Sequence, residues 1–316
     1  MILHIIFSCN WLDWGIIMRV VNLRIHQLRK LKELVLEKGI LNTEALMLIL
    51  DKKYAKTKDG GKMLFKYLDA QDDECVMGRK LYTLNMLNSF SEYQEISELI
   101  IPDTIVVVEN KIVGFAMPLI EKHLNLGNFL LGEENDFLEK LNYLTQVGKI
   151  IDKVQRIDHL SFQMNFGDLN EFNFVIDSSK VVRAVDLDSA YIGQDEPSHT
   201  AYYLLKNPYL ESFPSKYKKS SGGLIIPSNE TDLYCYNMIL LDFLSGEAMY
   251  KKDLDIFYKY LSHLKDIGID SELIRIFQSI YFSSFNQNPF SLLKTISVDL
   301  RKDMSYQTFK KEYKLK

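Results

Sequence analysis

Phe166-Gly167-Asp168-Leu169-Asn170-Glu171-Phe172-Asn173-Phe174 is the stretch whose reading decides the fold, taken with Ala184-Val185-Asp186-Leu187-Asp188 downstream. Asp168 and Asn173 are spaced D-L-x-x-x-N, and Asp186 stands thirteen residues beyond Asn173. At this chain's own composition the first pattern arises by chance roughly 0.2 times, and a further Asp at that one later position roughly 0.01 times. Two short strand-like runs, 173–176 and 181–185, flank a turn at Asp177-Ser178-Ser179-Lys180. The three side chains are therefore carried on a loop, a small hairpin and a strand end.

Outward from this stretch, the composition sets limits. The chain has 316 residues, 47% hydrophobic and 25% charged, enough for one large domain or two lobes. A net charge of -4 gives no general attraction to nucleic acid or an anionic membrane. Cys9, Cys75 and Cys235 are widely separated and odd in number, which argues against a disulfide framework and for a reducing, cytoplasmic setting. The six histidines show no H-E-x-x-H or similar pairing that would suggest a protein-built zinc site. Met1 to Phe7 is apolar, but no basic segment precedes it and Asp13 interrupts the run, so neither a signal peptide nor a stable membrane insertion fits. Residues 1–17 are expected to be an extension outside the fold core, with a short buried strand as the alternative.

Residues 22–38 place Leu28, Leu31, Leu34 and Val35 at helical spacing among basic residues, ahead of Gly39 as a C-cap. Strand-like runs at 45–50 and 62–68 flank Lys56-Thr57-Lys58-Asp59-Gly60-Gly61, which predicts a hairpin. Residues 73–90 read as a helix with Leu81, Leu84 and Leu87 on one face. A second hairpin joins 104–108 to 112–117. Residues 137–157 carry a near-continuous apolar stripe of period 3.6. The stretch 207–229, rich in Pro, Ser, Lys and Gly, is expected to be extended or mobile, and helical patterns resume near Asp232. The order is a β-rich N-terminal third followed by a mainly helical remainder, an α+β class.

This arrangement resembles the protein-kinase-like superfamily over about residues 43–283. Met63-Leu64-Phe65-Lys66 stands where the family carries V-A-I-K, and Met117-Pro118-Leu119-Ile120-Glu121 is similar to the hinge between its lobes. Thr231-Asp232 through Ser245-Gly246 is similar to the helix written S-D-x-x-S-L-G-x-x-L-x-x-x-L-T-G. The resemblance implies a bilobal fold, with an N-lobe and its preceding helix over 18–118 and a C-lobe over 119–316. It implies ATP and Mg²⁺ as cofactors, with transfer to a hydroxyl on a protein substrate. Lys66 would hold the α- and β-phosphates, and Met117, Leu119 and Glu121 would follow the adenine edge. Asn173 and Asp186 would bind metal, and Asp168 would take the acceptor's proton. Asp188 would be a second metal ligand or a helix N-cap, Glu74 the helix acid paired with Lys66, and Asp232 the brace of the catalytic loop.

The departures from the family pattern are equally specific. No G-x-G-x-x-G is present, the nearest stretch being Glu37-Lys38-Gly39-Ile40-Leu41-Asn42-Thr43. Phe166-Gly167-Asp168 replaces H-R-D, Asp186-Leu187-Asp188 replaces D-F-G, and no A-P-E is recognisable. Glu92 and Glu95 do not fit within the helix predicted at 73–90. A pseudokinase that binds nucleotide as a scaffold, a small-molecule kinase and a nucleotidyl transferase are the alternative readings.

Overall fold

The computed structural model describes residues 18–27, 29, 47–50, 63–67, 74–120, 122–157, 163–193, 196–198, 200–209, 217–281 and 287–314. The segment 1–17, the glycine-poor stretch 37–43 and Glu121 lie outside the described residues. The chain divides into two compact units, the first running to Lys122 and including Val185–Asp188, the second comprising 123–184 and 189 onward.

The first unit is built on a five-stranded sheet in the order β1-β4-β5-β3-β2, formed by β1 (Arg19–Leu23), β2 (Met47–Leu50), β3 (Met63–Tyr67), β4 (Thr104–Val108) and β5 (Lys111–Pro118). Both predicted hairpins are present as antiparallel pairs. Glu109 and Asn110 close the β4–β5 hairpin, both at positive φ, as a two-residue turn matched to the twist of its strands requires. All five β4 residues are buried, as expected of Thr-Ile-Val-Val-Val in an interior strand. Gly114 of β5 lies opposite Tyr67, and a Cβ there would fall under 3.0 Å from the Lys66 carbonyl and the Phe65 ring. The close approach of β5 to β3 at the lysine-bearing strand therefore depends on that glycine.

The helix expected over 22–38 is corrected at its start. Asn22 and Leu23 belong to β1, which pairs parallel with β4 from Arg19↔Thr104 to Leu23↔Val108, and only 25–27 and 29 are helical among the described residues. Val20 and Val21 favour the pleated surface that β4 offers. Helix α1 (Glu74–Ser89) forms where predicted, with Leu84 and Leu87 fully buried. Glu92 and Glu95 lie on a separate short helix, α2 (Ser91–Glu95).

The second unit is mainly helical. After α3 (Leu126–Leu131) comes α4 (Phe137–Gln155), which packs its apolar stripe on α6 (Asn229–Ser245) and on a 3₁₀ segment at Pro289–Thr295. Helix α6 is buried almost all round and is held at both ends. Ser228 and Thr231 form a capping box, and Gly246, at φ 70°, ends the helix. The Tyr236 hydroxyl ties α6 to α4 by donating to the Leu144 carbonyl at 2.9 Å. Short α5 (Tyr202–Leu205) precedes α6, and α7 (Leu254–Asp266), α8 (Ser271–Gln278) and α9 (Tyr306–Glu312) follow it. Of the stretch expected to be extended or mobile, 207–209 and 217–229 are described. Residues 217–228 contain a tight turn, with Lys219 bridged to Ile225 and Glu196 accepting from Ser221 and from the Gly222 N–H. Its Ser and Gly residues supply the chemistry of that turn.

Candidate functional site

The D-L-x-x-x-N loop is fixed at both ends. On the upstream side β7 (Met164–Asn165) pairs with β10 (Tyr191–Ile192); downstream, β8 (Phe174–Ile176) is the central strand of a sheet with β6 (Leu124–Asn125) and β9 (Val182–Ala184). Between them Asp232 of α6, 2% exposed, accepts the Phe166 N–H on both carboxylate oxygens, at 3.0 and 3.2 Å. Burial pushes the Asp232 carboxyl up to about 7, against the pull of the Phe166 N–H and the Asn165 amide. The brace implied by the resemblance is therefore present as a hydrogen bond.

Gly167 sits in a turn of only three residues. The Asp168 N–H donates to the Phe166 carbonyl at 2.7 Å while Gly167 adopts φ 72°, the left-handed form of γ-turn. A Cβ at 167 would come closer than 3.0 Å to the Ser189 carbonyl oxygen. The position that reads as a lost arginine thus has a backbone that an L side chain adopts only under strain.

This turn presents Asp168 to a set of donors. Its Oδ2 accepts the Asn170 amide at 3.0 Å, and its Oδ1 accepts the Tyr202 N–H at 3.1 Å. The Asn173 amide donates to the Asp168 carbonyl at 2.8 Å, which leaves the Asn173 side-chain oxygen outside that bond. Asp168 and Asn173 are brought together as their spacing predicts. Asn170 and Tyr202 are additions that the motif did not single out, and Tyr202 could not have been found from spacing because it acts through its backbone. The neighbouring Glu171 accepts from the Tyr203 hydroxyl at 2.9 Å.

The first unit holds a second cluster, made of Lys66, Lys80, Asp186 and Asp188. Lys66 of β3 forms ion pairs with Asp186 and with Asp188, the latter at 2.8 Å. The other oxygen of Asp188 has no hydrogen-bond partner, and the Lys80 ammonium of α1 is 3.5 Å from it. Burial alone would lower the pKa of Lys66, but the charges of Asp188 and Asp186 outweigh it and hold the ammonium above its ordinary value. For Asp188, burial alone would raise the pKa, and Lys66 and Lys80 hold it below the carboxylate range instead. Asp186 is pushed up to about 6 by burial and by Asp188, against Lys66. Its φ of 64° is left-handed, a conformation Asp tolerates better than most residues and one that recurs at functional sites.

Asp188 is part of this lysine cluster, in a single 3₁₀ turn at Leu187–Ser189. Glu74 opens α1, and the pairing expected of its side chain lies outside what is described. Met117 is buried in β5, and Leu119 follows the strand. Among the described residues no three or more His, Cys, Asp or Glu group as a metal site, and no helix is long and apolar enough to cross a membrane.

No family model matches the chain, and no curated protein matches it. A solved structure described as the apo GRMZM2G135359 pseudokinase is similar to it, with a TM-score of 0.50 over 92% of this chain and 96% of that chain. The two are 11% identical, so the likeness is one of fold. With its β-sheet N-terminal unit and helical C-terminal unit, the chain has a protein-kinase-like fold.

Proposed function

We propose that the protein is an ATP- and Mg²⁺-dependent phosphotransferase acting on a hydroxyl of a protein substrate, in a cytoplasmic setting. The observation that carries this reading is the joining of Lys66 to Asp186 across 120 positions of sequence. A strand lysine that is itself buried and a half-buried left-handed aspartate have no reason in packing to be paired, because ion pairs withdrawn from water seldom repay their desolvation.

By their chemistry, taken one at a time, Asp186 and Asn173 each suit a hard cation. Asp186 remains 29% exposed at its side chain, and Asn173 offers a carboxamide oxygen. Mg²⁺ is commonly held by one or two protein oxygens, with phosphates and water completing its shell. When bound, it would neutralise charge on the transferring phosphoryl group. Lys66 would hold phosphate oxygens as a compact cation, with Asp186 and Asp188 fixing its position. Asp168, oriented by Asn170 and the Tyr202 N–H, would accept the acceptor's proton. Phosphoryl transfer needs this positioning more than covalent participation.

A scaffold reading is favoured by the absence of a glycine-rich motif and by the pseudokinase description of the similar structure. Incubation with ATP labelled separately at the γ- and α-phosphates separates the readings. γ-Label on protein is expected, α-label alone would indicate nucleotidyl transfer, and neither would leave the scaffold. Mg-ATP at 100 times its dissociation constant should stabilise the wild type by about 2.7 kcal/mol. Asp186→Ala should abolish that gain, and a gain unchanged in this variant would refute the metal assignment.

A further inference from the structure

Lys80 takes no part in the chemistry assigned so far. It lies on α1 with its side chain 14% exposed, and its ammonium faces a carboxylate oxygen of Asp188, itself 1% exposed. Asp188 is thus gripped from two sides, by Lys66 of β3 and by Lys80 of α1. Lys66 is shared between two carboxylates, half-buried Asp186 and fully buried Asp188. Lys80 brings a second cation to this pair of carboxylates, which offsets the cost of taking the Asp188 charge out of water.

We propose that Lys80 is a positioning residue for nucleotide binding: it holds Asp188 in place, and Asp188 in turn holds Lys66 where phosphate oxygens would meet it. The helix then contributes a cation, acting through a carboxylate from the segment 185–188, and the coupling of α1 to Lys66 runs through Asp188. This inference rests on the phosphotransferase reading for its nucleotide, and on the geometry alone for its tether.

The test is a double-mutant cycle on the full chain, with Mg-ATP affinity read by titration and amide hydrogen exchange read without nucleotide. Lys80→Met should weaken Mg-ATP binding about tenfold, the scale on which groups that support a ligand-holding residue act. Lys80→Arg, which keeps the cation, should restore most of it. In an Asp188→Asn background Lys80→Met should add little, because its effect passes through that carboxylate. Lys80→Met should also speed exchange both in α1 and in Val185–Asp188. The inference is overturned if Lys80→Met binds Mg-ATP like wild type, or if its loss persists undiminished in Asp188→Asn. Should Asp188→Asn fail to fold, Lys80→Met against Lys80→Arg decides, and equal affinities overturn the inference. Should the wild type bind no Mg-ATP, the phosphotransferase reading fails by itself. Exchange then decides the tether, which unchanged rates in Val185–Asp188 would overturn.

Discussion

Replacing Gly167 by Ala tests whether the loop before Asp168 is held by its backbone. Two costs can be separated. At φ 72° an L residue loses about 1–2 kcal/mol relative to its preferred regions. The new methyl must also clear the Ser189 carbonyl oxygen, from which it would lie less than 3.0 Å, and overpacking of this kind typically adds about 1–3 kcal/mol. The expected total is about 3 kcal/mol, or a fall in melting temperature of about 6–12 °C on the scale of a sizeable domain. Gly223 supplies the control, since it has φ 80° but nothing within 4 Å of the place a Cβ would take. Gly223→Ala should therefore cost only the conformational part, and any gain from a stiffer unfolded chain is common to both variants. Urea denaturation of the two variants measures the difference, and single-turnover phosphotransfer reports on the loop. A displaced Asp168 should slow transfer by about 10²-fold, the usual consequence of moving a reacting group by an ångström. Nucleotide affinity should fall by less than transfer does, because Lys66 and Asp186 lie outside that turn, although Ser189 shares a 3₁₀ turn with Asp188. If Gly167→Ala costs no more than Gly223→Ala, the Ser189 contact does not constrain the loop and the reasoning is refuted.

Two further outcomes follow from the same geometry. Asp168→Asn keeps the hydrogen-bonding shape but not the proton acceptor, so transfer should fall about 10²–10⁴-fold while Mg-ATP affinity survives; turnover at the wild-type rate would remove Asp168 from the mechanism. Asp242 is pushed up to about 8 by burial, against the Met249 N–H. A folded-state pKa above the unfolded one means that the native chain holds the extra proton. Its stabilising contribution is thus full below about pH 4 and is lost as the pH rises to about 8, by at most about 1.4 kcal/mol per pH unit. Asp242→Asn should flatten that part of a pH–stability curve, and an unchanged slope would contradict the assignment.

What could be read from the sequence was what local geometry writes into it. The β4–β5 hairpin was legible because β-branched runs flank a turn that needs positive φ at Glu109 and Asn110. The grouping of Asp168 with Asn173 was legible because five residues of loop fix their distance. The brace from Asp232 was legible through a motif that packs a whole helix. Three features were not. Strand β1 owes its existence to β4, 85 positions away, and its last residues, Asn22 and Leu23, merged with the helical pattern that follows them. Lys80 is one of several polar residues on α1, and only the fold reveals which of them faces Asp188. Gly167 read as a missing arginine, because a backbone angle leaves no mark on a side-chain motif.

The first compact unit is not a continuous length of chain, since Val185–Asp188 belongs to it. That discontinuity matters while the protein is being made. At about 5–20 residues per second, the ribosome reaches Asp186 roughly 6–24 s after it has added Lys66. During that interval the five-stranded sheet can assemble, but Lys66 has neither of the carboxylates that permit its burial. The nascent sheet must keep that ammonium in water, and the last step of its maturation waits for a segment encoded far downstream. A fragment that stops before Val185 would hold the unit in this unfinished state, with every strand present and Lys66 without Asp186 and Asp188.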